Sequence, residues 1–112
     1  MPKPMVITID EPEWDIATCD RLAEIIAPAF GHRHVVIDLS AVEYMDSTCL
    51  TKFVEMFAER VMLNGYPPCH LVINSYAVSR LFAIANFDHL WPIHKTLDEA
   101  LAAMAVQRQA AR

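Results

Sequence analysis

The sequence predicts an α/β fold, a single domain in which helices pack on a small sheet with several parallel strand pairs. Short β-rich runs alternate with segments of helical periodicity along the chain, which is the pattern of this class. Two of the runs are apolar at consecutive positions, as in strands that are covered on both faces. A length of 112 residues fits one domain, and a hydrophobic content of 54% excludes intrinsic disorder.

The first half of the chain predicts two strands with a helix between them. Residues 5–9 (MVITI) are a short β-rich run. A helix is expected to begin near Thr18, where apolar residues recur at helical spacing, and to end at Pro28 and Gly31. Residues 34–39 (HVVIDL) then form the first of the two buried strands.

The longest predicted helix begins at Ser47, whose hydroxyl is suited to cap a free amide of the first turn. Its apolar residues have the spacing of a buried stripe, namely i, i+3, i+4, i+7, i+8 and i+11: Leu50, Phe53, Val54, Phe57, Ala58 and Val61. Gly65 is placed to supply the left-handed residue that follows a helix end.

Two further strand–helix pairs complete the predicted domain. Residues 69–73 (CHLVI) are the second buried strand, and Ser75 caps the helix after it. Residues 91–94 contain a proline, which an edge strand accepts. Thr96 and Glu99 form a capping box for a last helix, whose apolar face is Leu97, Ala100, Leu101 and Met104. The core is expected to span residues 5–104, and the polar tail 105–112 is expected to fray.

Composition excludes several classes of function. Two glycines, Gly31 and Gly65, cannot build the glycine-rich loops that bind nucleotides. A net charge of −5 argues against a nucleic-acid partner. No apolar stretch approaches the ~20 residues that span a bilayer, and no signal peptide is recognisable. Three cysteines without a C-x-x-C pair argue against a disulfide framework and indicate reduced thiols in the cytoplasm.

Four groups of residues are candidates for catalysis or metal binding. Ser47 lacks the neighbouring glycines of a serine hydrolase elbow. Cys49 lies in the first turn of a predicted helix, where it is either a reactive thiol or a small packed side chain. The pair His32 and His34 has no accompanying ligand motif, which favours polar strand ends over a metal site. Three acidic residues at one sheet edge are a weak basis for acid–base chemistry: Asp38, Glu43 and Asp46.

The strongest functional signal is the junction between the buried strand at 34–39 and the helix at Ser47. Functional groups of α/β sheets gather beyond the carboxyl ends of the strands. A serine at a helix N-terminus tolerates a phosphate, because the helix dipole favours negative charge there. Asp46 beside it would repel the phosphate and push the pair outward. Ser47 is therefore either a phosphorylation switch on a binding surface or a plain helix cap.

A resemblance to a known family favours the switch. Residues 34–50 (HVVIDLSAVEYMDSTCL) resemble the signature of STAS domains of the anti-sigma factor antagonist type. That signature reads as an apolar strand, Asp-Leu-Ser, a short loop, then Asp-Ser-Ser/Thr-Gly-Leu opening a helix. Further similarity at 13–18, 75–82, 86–93 and 97–101 extends the resemblance from residue 5 to about residue 103. The family fold is a small mixed sheet with about four helices packed on it.

The resemblance implies a protein-binding switch without catalysis or a cofactor of its own. Its partner is expected to be an anti-sigma factor with serine-kinase activity, which phosphorylates Ser47 and then lets go, and a serine phosphatase reverses the modification. Met45, Asp46, Thr48 and Cys49 would shape the binding loop, with Asp38 as a polar neighbour beneath it. The partner would also contact the exposed side of the following helix, which is expected to present Lys52, Glu55, Met56 and Glu59.

The sequence departs from the family pattern at two points. Cys49 occupies the position where the family usually has glycine. Only one clear strand precedes Trp14, where the family shows a strand pair, and periodicity leaves open whether Trp14 belongs to a brief second strand.

Three other functions stay open at this point. One is the STAS subunit of a lipid-transporting ABC complex, which binds an ATPase subunit. Another is a thiol redox sensor that uses Cys49. The third is an enzyme with an unrecognised pocket.

Overall fold

A four-stranded parallel sheet organises the chain in the computed structural model, which describes residues 3–110, with side chains through residue 106. The strands in chain order are β1 Met5–Thr8, β2 Glu13–Trp14, β3 Val35–Asp38, β4 Tyr44–Met45, β5 His70–Val72 and β6 Ile93–His94. The main sheet has the order β1-β3-β5-β6, while β2 and β4 form a separate parallel pair. The α/β prediction is confirmed, and every described strand pairing is parallel.

Four α-helices accompany the sheet: α1 Cys19–Ile26, α2 Leu50–Phe57, α3 Tyr76–Ile84 and α4 Leu97–Ala110. A 3-10 segment, Ala27–Gly31, follows α1, and a 3-10 turn, Ser47–Cys49, precedes α2. The π-helical segment Ala58–Leu63 continues α2. Gly65 has a φ of +70°, the left-handed conformation that the sequence predicts after this helix.

The strand register places one apolar row across the sheet, formed by Ile7, Ile37, Leu71 and Ile93. Helices α1, α2 and α3 cover one face, with Leu22, Phe53 and Phe82 fully buried in the main core. Helix α4 covers the other face, where a small cluster joins Val36, Val72, Ala100 and Met104. Because both faces of β3 and β5 are covered, the consecutive apolar residues in these strands are all buried.

The predicted caps of two helices are in place, and α1 begins directly after Thr18, as predicted. The hydroxyl of Ser75 accepts from the amide of Val78 at 3.3 Å, and that of Thr96 accepts from the amide of Glu99 at 3.1 Å. Trp14 does belong to a brief second strand, because it lies in β2 and pairs with Met45 of β4.

Helix α2 buries a different stripe from the predicted one. The buried residues are Leu50, Phe53, Met56 and Arg60, whereas Val54 is 36% exposed. The expectation that Met56 lies on the exposed side is therefore wrong, because its side chain is 0% exposed. The stripe is rotated about the helix axis, so that the positions three and seven residues after Phe53 face the core.

Helix α4 extends beyond the expected end of the core at residue 104. It continues through Ala110, so residues 105–110 have helical backbone. Residues 111 and 112 of the predicted tail lie outside the described part of the chain.

Candidate functional site

Ser47 lies in the 3-10 turn that joins β4 to α2. The N-cap residue of this turn is Asp46, and the prediction that Ser47 caps the helix is wrong. The Asp46 carboxylate accepts from the Thr48 amide at 2.9 Å and from the Thr48 hydroxyl at 2.8 Å. Asp46 can do so because its extended backbone, with ψ 146°, directs the carboxylate back over the first turn.

The strand pair β2–β4 fixes the start of this turn. The Asp46 amide donates to the Trp14 carbonyl at 2.8 Å, directly after the Trp14–Met45 pair. Trp14 and Met45 are buried, and the Trp14 indole donates to the Glu11 carbonyl at 3.0 Å. Ser47 is thus presented by backbone whose neighbours are held in the core.

The Ser47 side chain itself is exposed. Among the groups that the structure describes, none forms a hydrogen bond with its hydroxyl, which leaves the oxygen available to a partner. A serine at a helix start normally spends this oxygen on a cap, but here Asp46 has taken that role.

Two open, mostly apolar depressions meet at Ser47. The first has a volume of about 510 Å³ and is lined by Ser47, Leu50, Thr51, Val54, Glu55, Ala85 and Phe87. The second, of about 390 Å³, is lined by Tyr44, Met45, Asp46, Ser47, Ala77, Arg80, Leu81 and Ile84. We call these the α2 groove and the α3 groove, and Ser47 forms the ridge between them.

Exposed apolar side chains enlarge the surface beside these grooves. Ile84 is 71% exposed, Tyr76 is 77% exposed and Tyr44 is 49% exposed. Of these, Tyr44 and Ile84 line the α3 groove itself. Exposed apolar side chains grouped in this way are typical of protein–protein contact sites.

The electrostatics of the turn are set by Asp46. The hydrogen bonds that the Thr48 amide and hydroxyl donate to this carboxylate lower its pKa below the ordinary value of 3.8. Asp46 is therefore ionised near neutral pH, immediately beside Ser47. Lys52, one turn further on, has its ammonium 3.5 Å from the Asp20 carboxylate.

The other predicted site residues divide between surface and core. Thr48 is exposed and Lys52 is partly exposed. Met45, Cys49 and Met56 are buried, at 4%, 0% and 0% exposure. Met45 still lines the α3 groove, but Cys49 and Met56 line neither groove, so the prediction that these two side chains contact a partner is corrected.

Asp38 ends β3, where its carboxylate accepts from the Ser40 amide at 3.0 Å. Within the described residues it makes no hydrogen bond to the Ser47 turn. The structure therefore gives it a local role at the strand end.

Cys19 and Cys49 form a disulfide bond, with their Cα atoms 5.1 Å apart. The expectation of three reduced thiols is wrong for this pair, and Cys69 alone is free and buried among the described residues. No C-x-x-C motif announces this pair, because the two cysteines are 30 residues apart and meet only when α1 packs beside the start of α2.

Sequence reasoning missed the contribution of α3 to this site. Tyr76, Arg80 and Ile84 are spaced by four residues and lie on the exposed side of α3. Tyr76 and Ile84 are large apolar residues on the side of α3 opposite the buried Val78 and Phe82. The sequence contains this signal, but a search for the buried stripe of a helix does not consider the opposite side.

The histidines are arranged differently from the predicted close pair. His70 and His94, on neighbouring strands, have Nδ1 and Nε2 3.0 Å apart. Within residues 3–110, no three His, Cys, Asp or Glu side chains gather closely enough to hold a metal ion. The described helices also include none with the length and apolar character needed to cross a bilayer.

Residues 2–100 match the family model described as STAS domain. A search of curated proteins finds no significant match.

Solved structures give closely similar folds. An anti-sigma factor antagonist from Mycobacterium paratuberculosis matches with a TM-score of 0.73 and 27% identity, covering 89% of this chain and 84% of that one. An anti-sigma-factor antagonist (STAS) domain protein from Planctomyces limnophilus has a TM-score of 0.71 and 22% identity, covering 89% of each chain. A sulfate transporter family protein from Wolinella succinogenes has a TM-score of 0.71 and 16% identity over 97% of this chain and 93% of that one. At these identities the last two show the shared fold.

Proposed function

This chain belongs to the STAS domain family, and from that premise we propose that it is an anti-sigma factor antagonist. In this role it binds an anti-sigma factor that has serine-kinase activity, in the cytoplasm and without catalysis of its own. Phosphorylation of Ser47 releases the partner, and a serine phosphatase restores the binding form. While the anti-sigma factor is bound to this protein, its sigma factor is free to direct transcription.

The observation that carries this proposal is the exposed Ser47 hydroxyl on the ridge between two apolar grooves. A partner that fills both grooves places Ser47 at the centre of the interface. Contacts at the centre of an interface contribute most of the binding free energy, because they are fully desolvated.

Phosphorylation at this position would oppose binding for two reasons. A phosphoserine carries about −1.5 to −2 charge, which would have to be buried against the partner. The ionised Asp46 carboxylate beside Ser47 adds repulsion and already holds the Thr48 amide, so this amide is not free to stabilise the phosphate. Each 1.4 kcal/mol lost lowers the affinity about tenfold.

The test is phosphorylation by serine kinases of the anti-sigma factor type from the same organism. Each kinase is incubated with ATP and either the wild type, Ser47→Ala or Ser79→Ala, and phosphopeptides are mapped by mass spectrometry. Ser79 is a matched control because it is also an exposed serine on a helix, away from both grooves.

We expect label on the Ser47 peptide in the wild type and in Ser79→Ala, and none in Ser47→Ala. We also expect Ser47→Asp to bind the kinase at least about tenfold more weakly than the wild type, as measured by calorimetry. An unlabelled Ser47 peptide together with undiminished binding by Ser47→Asp would contradict the phosphoswitch.

A further inference from the structure

The Cys19–Cys49 disulfide joins the N-terminal ends of two helices, two residues away from Ser47. Cys19 is the first residue of α1, and Cys49 is the last residue of the Ser47–Cys49 turn. The bond therefore ties the turn that carries Ser47 to a different element of the core.

The disulfide also lies beside the groups whose hydrogen bonds hold this turn. The sulfur of Cys19 is 3.4 Å from the Thr48 hydroxyl oxygen, and that hydroxyl donates to the Asp46 carboxylate. The Cys49 amide donates to the Asp46 carbonyl at 2.9 Å. A change at the two sulfurs is thus transmitted to both residues that flank Ser47.

The two cysteines are buried to different depths. Cys49 is 0% exposed and Cys19 is 6% exposed, so Cys19 is the one that keeps some contact with solvent.

The surroundings accommodate the reduced state as well. The Cys19 sulfur is 3.1 Å from the Asp15 carbonyl oxygen, and the Cys49 sulfur is 3.8 Å from that of Trp14. In a dithiol form both S–H groups have an acceptor within reach, so reduction leaves no buried donor unsatisfied.

We propose that Cys19 and Cys49 are a reversible dithiol–disulfide couple that sets the mobility of the Ser47 turn. The inference rests on the proposed function, in which Ser47 is the phosphorylated residue. In the cytoplasm disulfides are mostly transient and regulatory, and this domain has a sizeable core without the bond.

The oxidant is a low-molecular-weight disulfide such as glutathione disulfide. The Cys19 thiolate attacks one of its sulfurs, which forms a mixed disulfide and releases one thiolate that takes up a proton. The Cys49 thiolate then attacks the Cys19 sulfur and releases the second thiol. The two cysteines lose two protons and two electrons, and one glutathione disulfide becomes two glutathione molecules.

Reduction loosens the turn because two thiol sulfurs cannot remain at bonding distance. They must separate by more than about 1 Å. Both cysteines pack in the main core, but Cys49 is fully buried whereas Cys19 is 6% exposed, so the displacement falls mainly on Cys19 and on the adjacent Thr48. Weakening the Thr48–Asp46 contacts frees the segment that contains Ser47.

The experiment compares the full chain after equilibration with glutathione disulfide and after treatment with dithiothreitol. Free thiols are counted by alkylation under denaturing conditions and mass spectrometry, and amide hydrogen exchange is measured at residues 47–50. Cys69→Ala is the matched control that keeps the pair, and the double variant Cys19→Ala, Cys49→Ala removes it. Cys69 stays reduced during equilibration of the folded protein, because burial raises the pKa of its thiol to about 11, and it therefore adds one thiol to each count except that of Cys69→Ala.

We expect two fewer free thiols in the oxidised wild type and in oxidised Cys69→Ala, with roughly tenfold faster exchange at 47–50 after reduction. The double variant should exchange at one rate under both conditions. Failure of the pair to form with glutathione disulfide, or exchange rates within twofold of each other, overturns the proposal. Neither readout uses the kinase, so an unphosphorylated Ser47 contradicts the proposed function alone.

Discussion

Arg60 is the residue whose environment departs most from its usual surface position. Its side chain is 1% exposed, and its guanidinium donates to four backbone carbonyls: those of Ala29, His32, Arg33 and Pro67, at 2.7–2.9 Å. The guanidinium also lies 5.7 Å from the centre of the Tyr66 ring. Arg60 thereby joins the segment after α1 to the loop before β5.

Replacement of Arg60 by methionine is expected to destabilise the fold by on the order of 3 kcal/mol or more, because buried carbonyls would lose their donors. Urea unfolding of Arg60→Met measures this change. Arg33→Met is the control, because Arg33 is exposed and should cost well below 1 kcal/mol. Equal unfolding midpoints for the two variants would show that the carbonyls find other donors.

Asp46 gives the Ser47 turn a pH dependence. The folded-state pKa of its carboxyl is lowered, so its contribution to stability is complete above the ordinary value of 3.8 and is lost as the pH falls through the folded pKa. We expect Asp46→Ala to be less stable than the wild type near neutral pH and the difference to shrink below about pH 4.

Thermal unfolding of both proteins between pH 2 and pH 7 measures this difference. Asp46→Asn retains an oxygen that can accept from Thr48 but carries no charge, so its contribution should not vary with pH. A wild-type advantage that stays constant down to pH 2 would rule out the carboxylate as its source.

At the scale of elements, α2 shows why a helical pattern can be assigned to the wrong face. Leu50 and Phe53 belong to both the predicted and the observed stripe. The apolar residues after them are Val54, Met56 and Phe57, so the local pattern allows more than one rotation of the helix about its axis. The observed rotation buries Met56, with its sulfur 4.0 Å from that of Cys69, and leaves Phe57 partly buried against Trp91.

The two rotations predict different mutational costs. Met56→Ala is expected to cost about 2–4 kcal/mol, because it opens a cavity in the main core. Val54→Ala should cost less than about 1 kcal/mol, because Val54 is 36% exposed at the α2 groove. Chemical denaturation of the pair distinguishes them, and a larger loss for Val54→Ala would favour the stripe predicted from the sequence.

At the scale of the whole molecule, the sheet is covered unequally. Three helices and most of the large side chains lie on one face, while α4 covers the other with a few residues. The disulfide belongs to the larger side, where it joins positions 30 residues apart. The bond therefore restricts the conformations of the unfolded chain as well as those of the Ser47 turn.

Reduction of this disulfide is expected to lower global stability by about 3–4 kcal/mol, the loop-closure entropy for a separation of this size. The corresponding fall in Tm is on the order of 10 °C. Calorimetry with and without dithiothreitol measures it, and the variant Cys19→Ala, Cys49→Ala should not respond to the reductant. A wild-type Tm that is unchanged after reduction, with the thiols confirmed by mass, would contradict this expectation.

The sequence alone determined the order of the four main-sheet strands and the four helices, and the position of Ser47, but not the short strands β2 and β4. Runs such as 34–39, caps such as Ser75 and Thr96, and the turn residue Gly65 act through neighbours a few residues away. Their effect can therefore be read from local sequence. The same local signals placed Ser47 beyond the end of β3 and just before α2.

Only the tertiary structure decided the features that join distant parts of the chain. These are the Cys19–Cys49 bond, the burial of Met56 and Arg60, and the two grooves that α2 and α3 form on either side of Ser47. Each depends on how helices rotate and approach one another, which many weak contacts across the core determine together. Helical periodicity constrains which residues share a face, but the packed neighbours decide which face turns inward.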